Sequence, residues 1–151
     1  MNIELRAITD EDKNKVSSLE VSDSQKLYIA SNRQSLETAA KEENQNIARP
    51  FAIYADEQLV GFTMFAFDLD SQYPHDRYWL WRFMIDKNLQ GKGYGSAALE
   101  QIIAYFRQHG ANHILLSTKE TNTTALSLYH KYDFAETGEL NNEEIVLRLN
   151  L

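Results

Sequence analysis

The chain has no cysteine among its 151 residues. Disulfides, thiolate zinc sites and a cysteine nucleophile are therefore excluded, and a reducing, cytoplasmic location is expected. Only two prolines occur, Pro50 and Pro74, and both fall between periodic segments. No internal repeat, low-complexity tract or linker interrupts the sequence, so residues 1–151 read as one domain. No apolar run reaches the roughly 18 residues that a transmembrane helix needs, and no membrane partner is expected. The first residues, Met1 to Lys15, lack a basic stretch followed by an apolar one, so no signal peptide is expected. Cations are outnumbered: 15 Lys and Arg stand against 22 Asp and Glu, a net charge of −7. A phosphate backbone needs a basic face, so nucleic acid is not an expected partner, whereas an acidic cleft concentrates cationic substrates.

Ile3-Glu4-Leu5-Arg6-Ala7 alternates as a strand does. Thr9 and Asp12 have the spacing of a capping box, with Asp in place of Glu. Two short helices are predicted near 24–30 and 33–44, the second capped by Asn32 and carrying Leu36, Ala39 and Ala40 on one face. Residues 51–55 and 59–67 read as strands joined by Asp56-Glu57-Gln58. Residues 77–85 read as another, with Trp79, Trp81 and Phe83 on one side. Leu99, Ile102, Ile103 and Phe106 mark one helix face, and Gly110 ends that helix. A short buried strand at 113–118 follows. Asn122 then caps a helix whose face is Ala125, Leu128, Tyr129 and Tyr132. A hairpin over 134–140 and 143–149 turns at Asn141-Asn142, and Ile145, Leu147 and Leu149 share one face of its second strand. Strand, helix and strand from Arg77 to Thr118 form a right-handed crossover with parallel strands.

Gln90-Gly91-Lys92-Gly93-Tyr94-Gly95 lies between a strand and an amphipathic helix. Glycines let the backbone approach a ligand, and the unbonded N–H groups there, with the helix dipole, favour a phosphate or pyrophosphate. A dinucleotide fold wants such a loop in its first strand–helix–strand unit, and a triphosphate loop wants Gly-Lys-Ser/Thr. Neither condition is met.

With Phe83-Met84-Ile85 before this loop, Ser96 after it, and Asn122, Ala125, Leu128, Tyr129 and Tyr132-Asp133-Phe134 downstream, the sequence resembles the GCN-related N-acetyltransferase superfamily. Its pattern is Arg/Gln-x-x-Gly-x-Gly/Ala, then Asn-x-x-Ala-x-x-Leu-Tyr. The resemblance implies an α/β fold: a mixed, mostly antiparallel seven-stranded sheet flanked by about four helices, with a splayed parallel pair of strands at its centre. It implies acetyl-CoA as cosubstrate. The loop 91–96, preceded by Gln90, would hold the pyrophosphate through the backbone of Gly91, Lys92, Gly93, Tyr94, Gly95 and Ser96. Phe83, Met84 and Ile85 would pair with the pantetheine amides, Asn122 would contact the cofactor, and the Tyr129 hydroxyl would lie near the thioester sulfur. Homodimers are common among such proteins, and an exposed carboxy-terminal strand would offer the pairing edge. Asp133 replaces a glycine often found there; Asp tolerates the left-handed backbone. Trp81 stands where some polyamine acetyltransferases of the superfamily carry a carboxylate. Val21 to Gln25, Ala30-Ser31-Asn32, Ser35-Leu36, Ala48 to Tyr54 and Val60 to Met64 resemble bacterial spermine/spermidine acetyltransferases.

Direct transfer requires an amine to lose a proton and a sulfur to gain one. Tyr129 is the expected general acid, and Glu120 or a water chain the base. Asp68, Asp70 and Trp81 are candidates for holding a polyamine. His75, His109, His113 and His130 form no metal constellation, and no metal is expected. The expected activity is acetyl transfer to a primary amine such as spermidine or spermine. The alternatives are a protein or peptide N-acetyltransferase and a non-catalytic acyl-CoA-binding sensor.

Overall fold

A computed structural model describes residues 1–151. Seven strands form one sheet in the order β1-β2-β3-β4-β5-β7-β6. They are β1 (Ile3–Ala7), β2 (Ala48–Ala55), β3 (Gln58–Phe67), β4 (Tyr78–Ile85), β5 (His113–Thr118), β6 (Ala135–Asn141) and β7 (Glu144–Asn150). All neighbours pair antiparallel except β4 and β5. Two-residue turns close both hairpins. Asp56 and Glu57 have φ of 47° and 71°, Asn142 and Glu143 have 48° and 70°, and this mirror-image turn matches the twist of the strands it joins. Each turn thus sits one residue away from, or is shorter than, its expected position: Gln58 is already in β3, and the second turn is Asn142-Glu143.

Four helices cover the two faces: α1 (Asp10–Ser18), α2 (Asn32–Ala40), α3 (Tyr94–Gln108) and α4 (Thr123–Lys131). The Thr9–Asp12 capping box forms as expected. For α2 the cap is Ser31, boxed with Gln34, rather than Asn32. Asn32 is instead buried, and its Nδ2 donates to the Val16 carbonyl at 2.8 Å, which ties α2 to the end of α1. The helix stops at Ala40 because Lys41 is extended. The expected helix at 24–30 is a single 3₁₀ turn, Gln25–Leu27. So short a segment cannot offset the cost of helix nucleation.

The crossover helix α3 and the helix that follows it, α4, end alike. Gly110 (φ 83°) lets its N–H reach the Arg107 carbonyl at 3.2 Å and that of Ala111 reach Phe106 at 3.0 Å. Asp133 (φ 71°) does the same for α4: its N–H bonds His130, and the Phe134 N–H bonds Tyr129, both at 3.1 Å. This is the Schellman pattern, in which a left-handed residue turns two otherwise unbonded carbonyls to use.

Leu99, Ile102, Ile103 and Phe106 of α3 are buried with Phe65, Phe67, Leu80, Ile114, Leu116 and Leu147 in the main core. On the opposite face Val16, Val21, Phe62, Met64 and Met84 are buried together, with Leu36, Ala39 and Trp81 packed against them. Phe83 packs on the first face and Trp81 on the second, against the expectation of one shared side. The cause is a bulge. Met64 pairs with Arg82 and Phe65 with Leu80, so Trp81 has no partner on β3. One extra residue resets the alternation of side chains and bends the strand.

Gly61, paired with Ile85, shows how closely β3 and β4 approach: a Cβ there would overlap the Met84 carbonyl oxygen. Gly61→Ala should lower stability by about 1–3 kcal/mol through forced backbone displacement. An unchanged denaturation midpoint would show that the strands can spread. At the sheet's end the exposed edge is β6, not the carboxy-terminal strand, which lies between β5 and β6. Every residue of β6 is exposed.

Candidate active site at the strand split

β4 and β5 pair at one position only, Trp79 with Leu115. Beyond it the strands diverge, and the bulge at Trp81 directs β4 away. The gap opens into a cleft of about 440 Å³. Its walls are Leu80 to Ile85 of β4, Leu116, Ser117 and Thr118 of β5, and Asn122, Thr124, Ala125, Leu128 and Tyr129 around the start and face of α4. The edge of β4 that faces the gap has no strand partner past Trp79, so its backbone is open to an extended ligand.

The glycine loop forms the far end of this cleft. Gln90, Gly91, Gly93, Gly95 and Ser96 line it. Gly91 and Gly93 have φ of 76° and 86°, a conformation glycine adopts without penalty. A Cβ on Gly91 would meet nothing within 4 Å. The N–H groups of Gly91 through Ser96 have no backbone partner; the first bond of the helix region runs from the Ala97 N–H to Gly93. Successive free N–H groups at the start of a 15-residue helix make an anion cradle. The residues present therefore fit a pyrophosphate.

Tyr129 is placed by its own helix end. The Schellman turn at Asp133 folds Phe134 back so that the two rings meet at 5.6 Å, 60° apart. Burial raises the pKa of the Tyr129 hydroxyl above its ordinary value, and no hydrogen bond or charge within the protein contributes. The group is thus a protonated donor without a partner on the wall of a cleft. Asn122 precedes α4, but its side chain does not cap the helix. Its Nδ2 donates to Thr118 Oγ1 at 3.1 Å, which joins the two sides of the β5–α4 turn.

Most of the cofactor residues expected from the sequence meet here: Phe83, Met84, Ile85, Gln90, Gly91, Gly93, Gly95, Ser96, Asn122 and Tyr129 all line the cleft, as does Trp81. Lys92 and Tyr94 belong to the loop but lie outside the lining. Glu120 is exposed on the turn after β5, and Asp68 and Asp70 lie in the β3–β4 loop, beyond the opposite end of β4 from the glycine loop. None of the three lines the cleft.

Sequence reasoning missed one wall entirely. Val21, Gln25, Tyr28 and Ile29, between α1 and α2, close the cleft from the second face. Gln25 and Gln90 exchange two side-chain hydrogen bonds, at 3.1 and 2.9 Å, and Gln90 also donates to the Ile85 carbonyl at 2.9 Å. The Tyr28 hydroxyl reaches the Thr121 carbonyl at 3.4 Å. Arg82 was also missed. Its Nε donates to Ser35 Oγ at 3.2 Å and its Nη1 to the Trp81 carbonyl at 2.9 Å. Burial lowers its pKa, and the charge of Glu144 opposes this.

The acetyltransferase (GNAT) family pattern matches residues 13–134. The chain belongs to this family. It is 34% identical to the "Probable spermine N(1)-acetyltransferase" of Bacillus subtilis subsp. natto (strain BEST195), over 98% of this chain and 99% of that protein. It is 33% identical to the spermine/spermidine N(1)-acetyltransferase of Bacillus subtilis (strain 168), over the same shares. The fold matches that of spermidine N-acetyltransferase from Vibrio cholerae, solved with CoA and spermine, with a TM-score of 0.73, 21% identity, and coverage of 99% of this chain and 94% of that one. This GNAT acetyltransferase thus has the family's open seven-stranded sheet, split at its centre, and no helix long and apolar enough to cross a membrane.

Proposed function

We propose that this acetyltransferase transfers the acetyl group of acetyl-CoA to a primary amine, and that the amine is a polyamine. The observation that carries the reading is the joining of three features in one cleft: the free N–H cradle at Gly91 to Ser96, the unpaired edge of β4, and the partnerless Tyr129 hydroxyl. Polyamine acceptors are favoured by the full-length similarity to spermine/spermidine acetyltransferases and by the net charge of −7.

Acetyl-CoA would bring the activated acetyl group. The chain's residues do the rest. The loop would bind the pyrophosphate, and Phe83 to Ile85 would align the pantetheine arm along β4. Tyr129 would donate its proton to the departing sulfur; its raised pKa keeps that proton in place through neutral and moderately alkaline pH. The apolar walls at Leu80, Phe83 and Leu116 restrict water at the thioester.

Two measurements test this. Acetyl-CoA at about a hundred times its Kd should stabilise the native state by about 2.7 kcal/mol, a rise in melting temperature of roughly 5–10 °C. Thiol release should then be seen with spermidine or spermine in an amine panel. No thermal shift with acetyl-CoA, together with one from NAD, would overturn the cofactor assignment. Turnover confined to peptides would move the acceptor to proteins.

A further inference from the structure

No Asp, Glu or His side chain lines the cleft. An acceptor amine arrives as an ammonium ion with a pKa of about 10 and must lose a proton before it can attack. A carboxylate outside the lining can take that proton through a residue of the wall. Ser117 of β5 is such a residue. It lines the cleft, and its hydroxyl donates to Glu144 Oε1 at 2.8 Å.

The direction of this bond decides what Ser117 offers. A serine hydroxyl has one proton and two lone pairs. Its proton is committed to Glu144, so toward the cleft it presents an acceptor. An acceptor backed by a carboxylate suits a cationic N–H donor. Strand alternation puts Glu144 and Ser117 on the same face: Ile145, Leu147, Ile114 and Leu116 face the α3 core, so Glu144 and Ser117 face the α1–α2 side, where Tyr28 and Gln25 close the cleft.

We infer that Ser117 receives the acceptor ammonium and that Glu144, acting through it, takes the proton that frees the amine. This rests on the transfer reading above and names its amine-side residues. In the step, one ammonium N–H bond breaks and its proton passes to Ser117 Oγ as the hydroxyl proton of Ser117 moves to Glu144 Oε1. The ammonium and the carboxylate become a neutral amine and a carboxylic acid, with no redox change. Glu144 is half-exposed and returns its proton to solvent. The second proton lost by the amine on forming the amide balances the one Tyr129 gives to the sulfur.

Ser117 touches the substrate, and Glu144 is a positioning residue at one remove. The charged groups around Glu144 are few. Arg82 on β4 acts on it across the split, and no carboxylate forms an ion pair with that guanidinium. Arg148 lies farther along the same face of β7. Lys119 after β5, Glu143 in the turn, and Glu136 and Glu139 on β6 are all exposed.

The test uses the full chain with acetyl-CoA and spermidine, following thiol release from pH 6.5 to 10. Glu144→Gln should lower kcat/KM for spermidine at least about tenfold at neutral pH, general base catalysis being typically worth about 10²–10⁴-fold. The deficit should shrink toward pH 10, where solution already supplies free amine. The KM for acetyl-CoA and the thermal shift it produces should not change. Ser117→Ala should reproduce the deficit, and Ser117→Thr, which keeps a hydroxyl, should restore most of the rate. If Glu144→Gln does not fold, the Ser117 pair decides the matter alone. Wild-type rates in either Glu144→Gln or Ser117→Ala would overturn the inference. So would a deficit that stays constant with pH, or one confined to the KM for acetyl-CoA. Absence of wild-type turnover with every amine overturns the transfer reading itself, and this inference with it.

Discussion

Replacing Tyr129 with phenylalanine should lower kcat by at least about tenfold, and by up to about 10⁴-fold if the hydroxyl is the sole proton donor to sulfur. The ring stays, so the packing of α4 on the core and the 5.6 Å contact with Phe134 stay with it. The hydroxyl makes no hydrogen bond within the protein, so its removal leaves no partner unsatisfied and stability holds or rises slightly. The KM for acetyl-CoA should move much less than kcat, because an interaction made chiefly in the transition state appears in kcat. The pH profile supplies a second check. With its pKa raised by burial, Tyr129 does not ionise below the ordinary tyrosine value of about 10. The wild-type rate should therefore show no descending limb from this residue between pH 7 and about 10. By linkage, stability due to the neutral buried phenol is full below about pH 10 and is lost only above it, where the unfolded chain ionises first. A folded Tyr129→Phe protein with wild-type kcat, measured where chemistry limits the rate, would remove Tyr129 from the mechanism and leave the cofactor loop intact.

Gly93→Val should cut the thermal shift produced by acetyl-CoA to about half or less. Gly93 has φ of 86° and ends the loop at the start of α3. A β-branched residue resists that backbone conformation, and a loop forced out of it would turn its N–H groups away from the phosphate oxygens. Each hydrogen bond to a charged group contributes about 1.5–3 kcal/mol, so losing even one weakens binding by roughly ten- to a hundredfold. Strain also costs stability, and Gly110→Val is the control. Gly110 has a similar φ of 83° and open space around it, but lies at the other end of α3. Gly110→Val should lose comparable stability and keep the acetyl-CoA shift. Equal shifts in the two folded variants would show that the loop does not hold the cofactor.

The sequence by itself determined whatever depends on neighbours along the chain. The apolar faces of α3 and α4 follow from helical spacing. Thr9 with Asp12, Gly110 and Asp133 act within one turn of their own helix, and the glycine loop carries its conformation in its composition. Even the placing of Tyr129 is local, because Asp133 and Phe134 fold back on it. At α2 the sequence was ambiguous, since Ser31 and Asn32 are both good caps; the box with Gln34 and the burial of Asn32 against Val16 resolved it. Tertiary structure alone decided the wall of the cleft that faces α1 and α2. The bulge at Trp81 exists because β3 and β4 must pair around it, and one unpaired residue puts Trp81 and Phe83 on opposite faces. Gln25 meets Gln90 across 65 positions, and Ser117 meets Glu144 across 27. The acids that stood out in the sequence, Asp68, Asp70 and Glu120, were left in loops outside the cleft, while Glu144, also outside it, reached the wall residue Ser117 through strand register. Periodicity gives the face a side chain occupies, but the partner on that face depends on register, and register is fixed only when distant strands bury their apolar sides together.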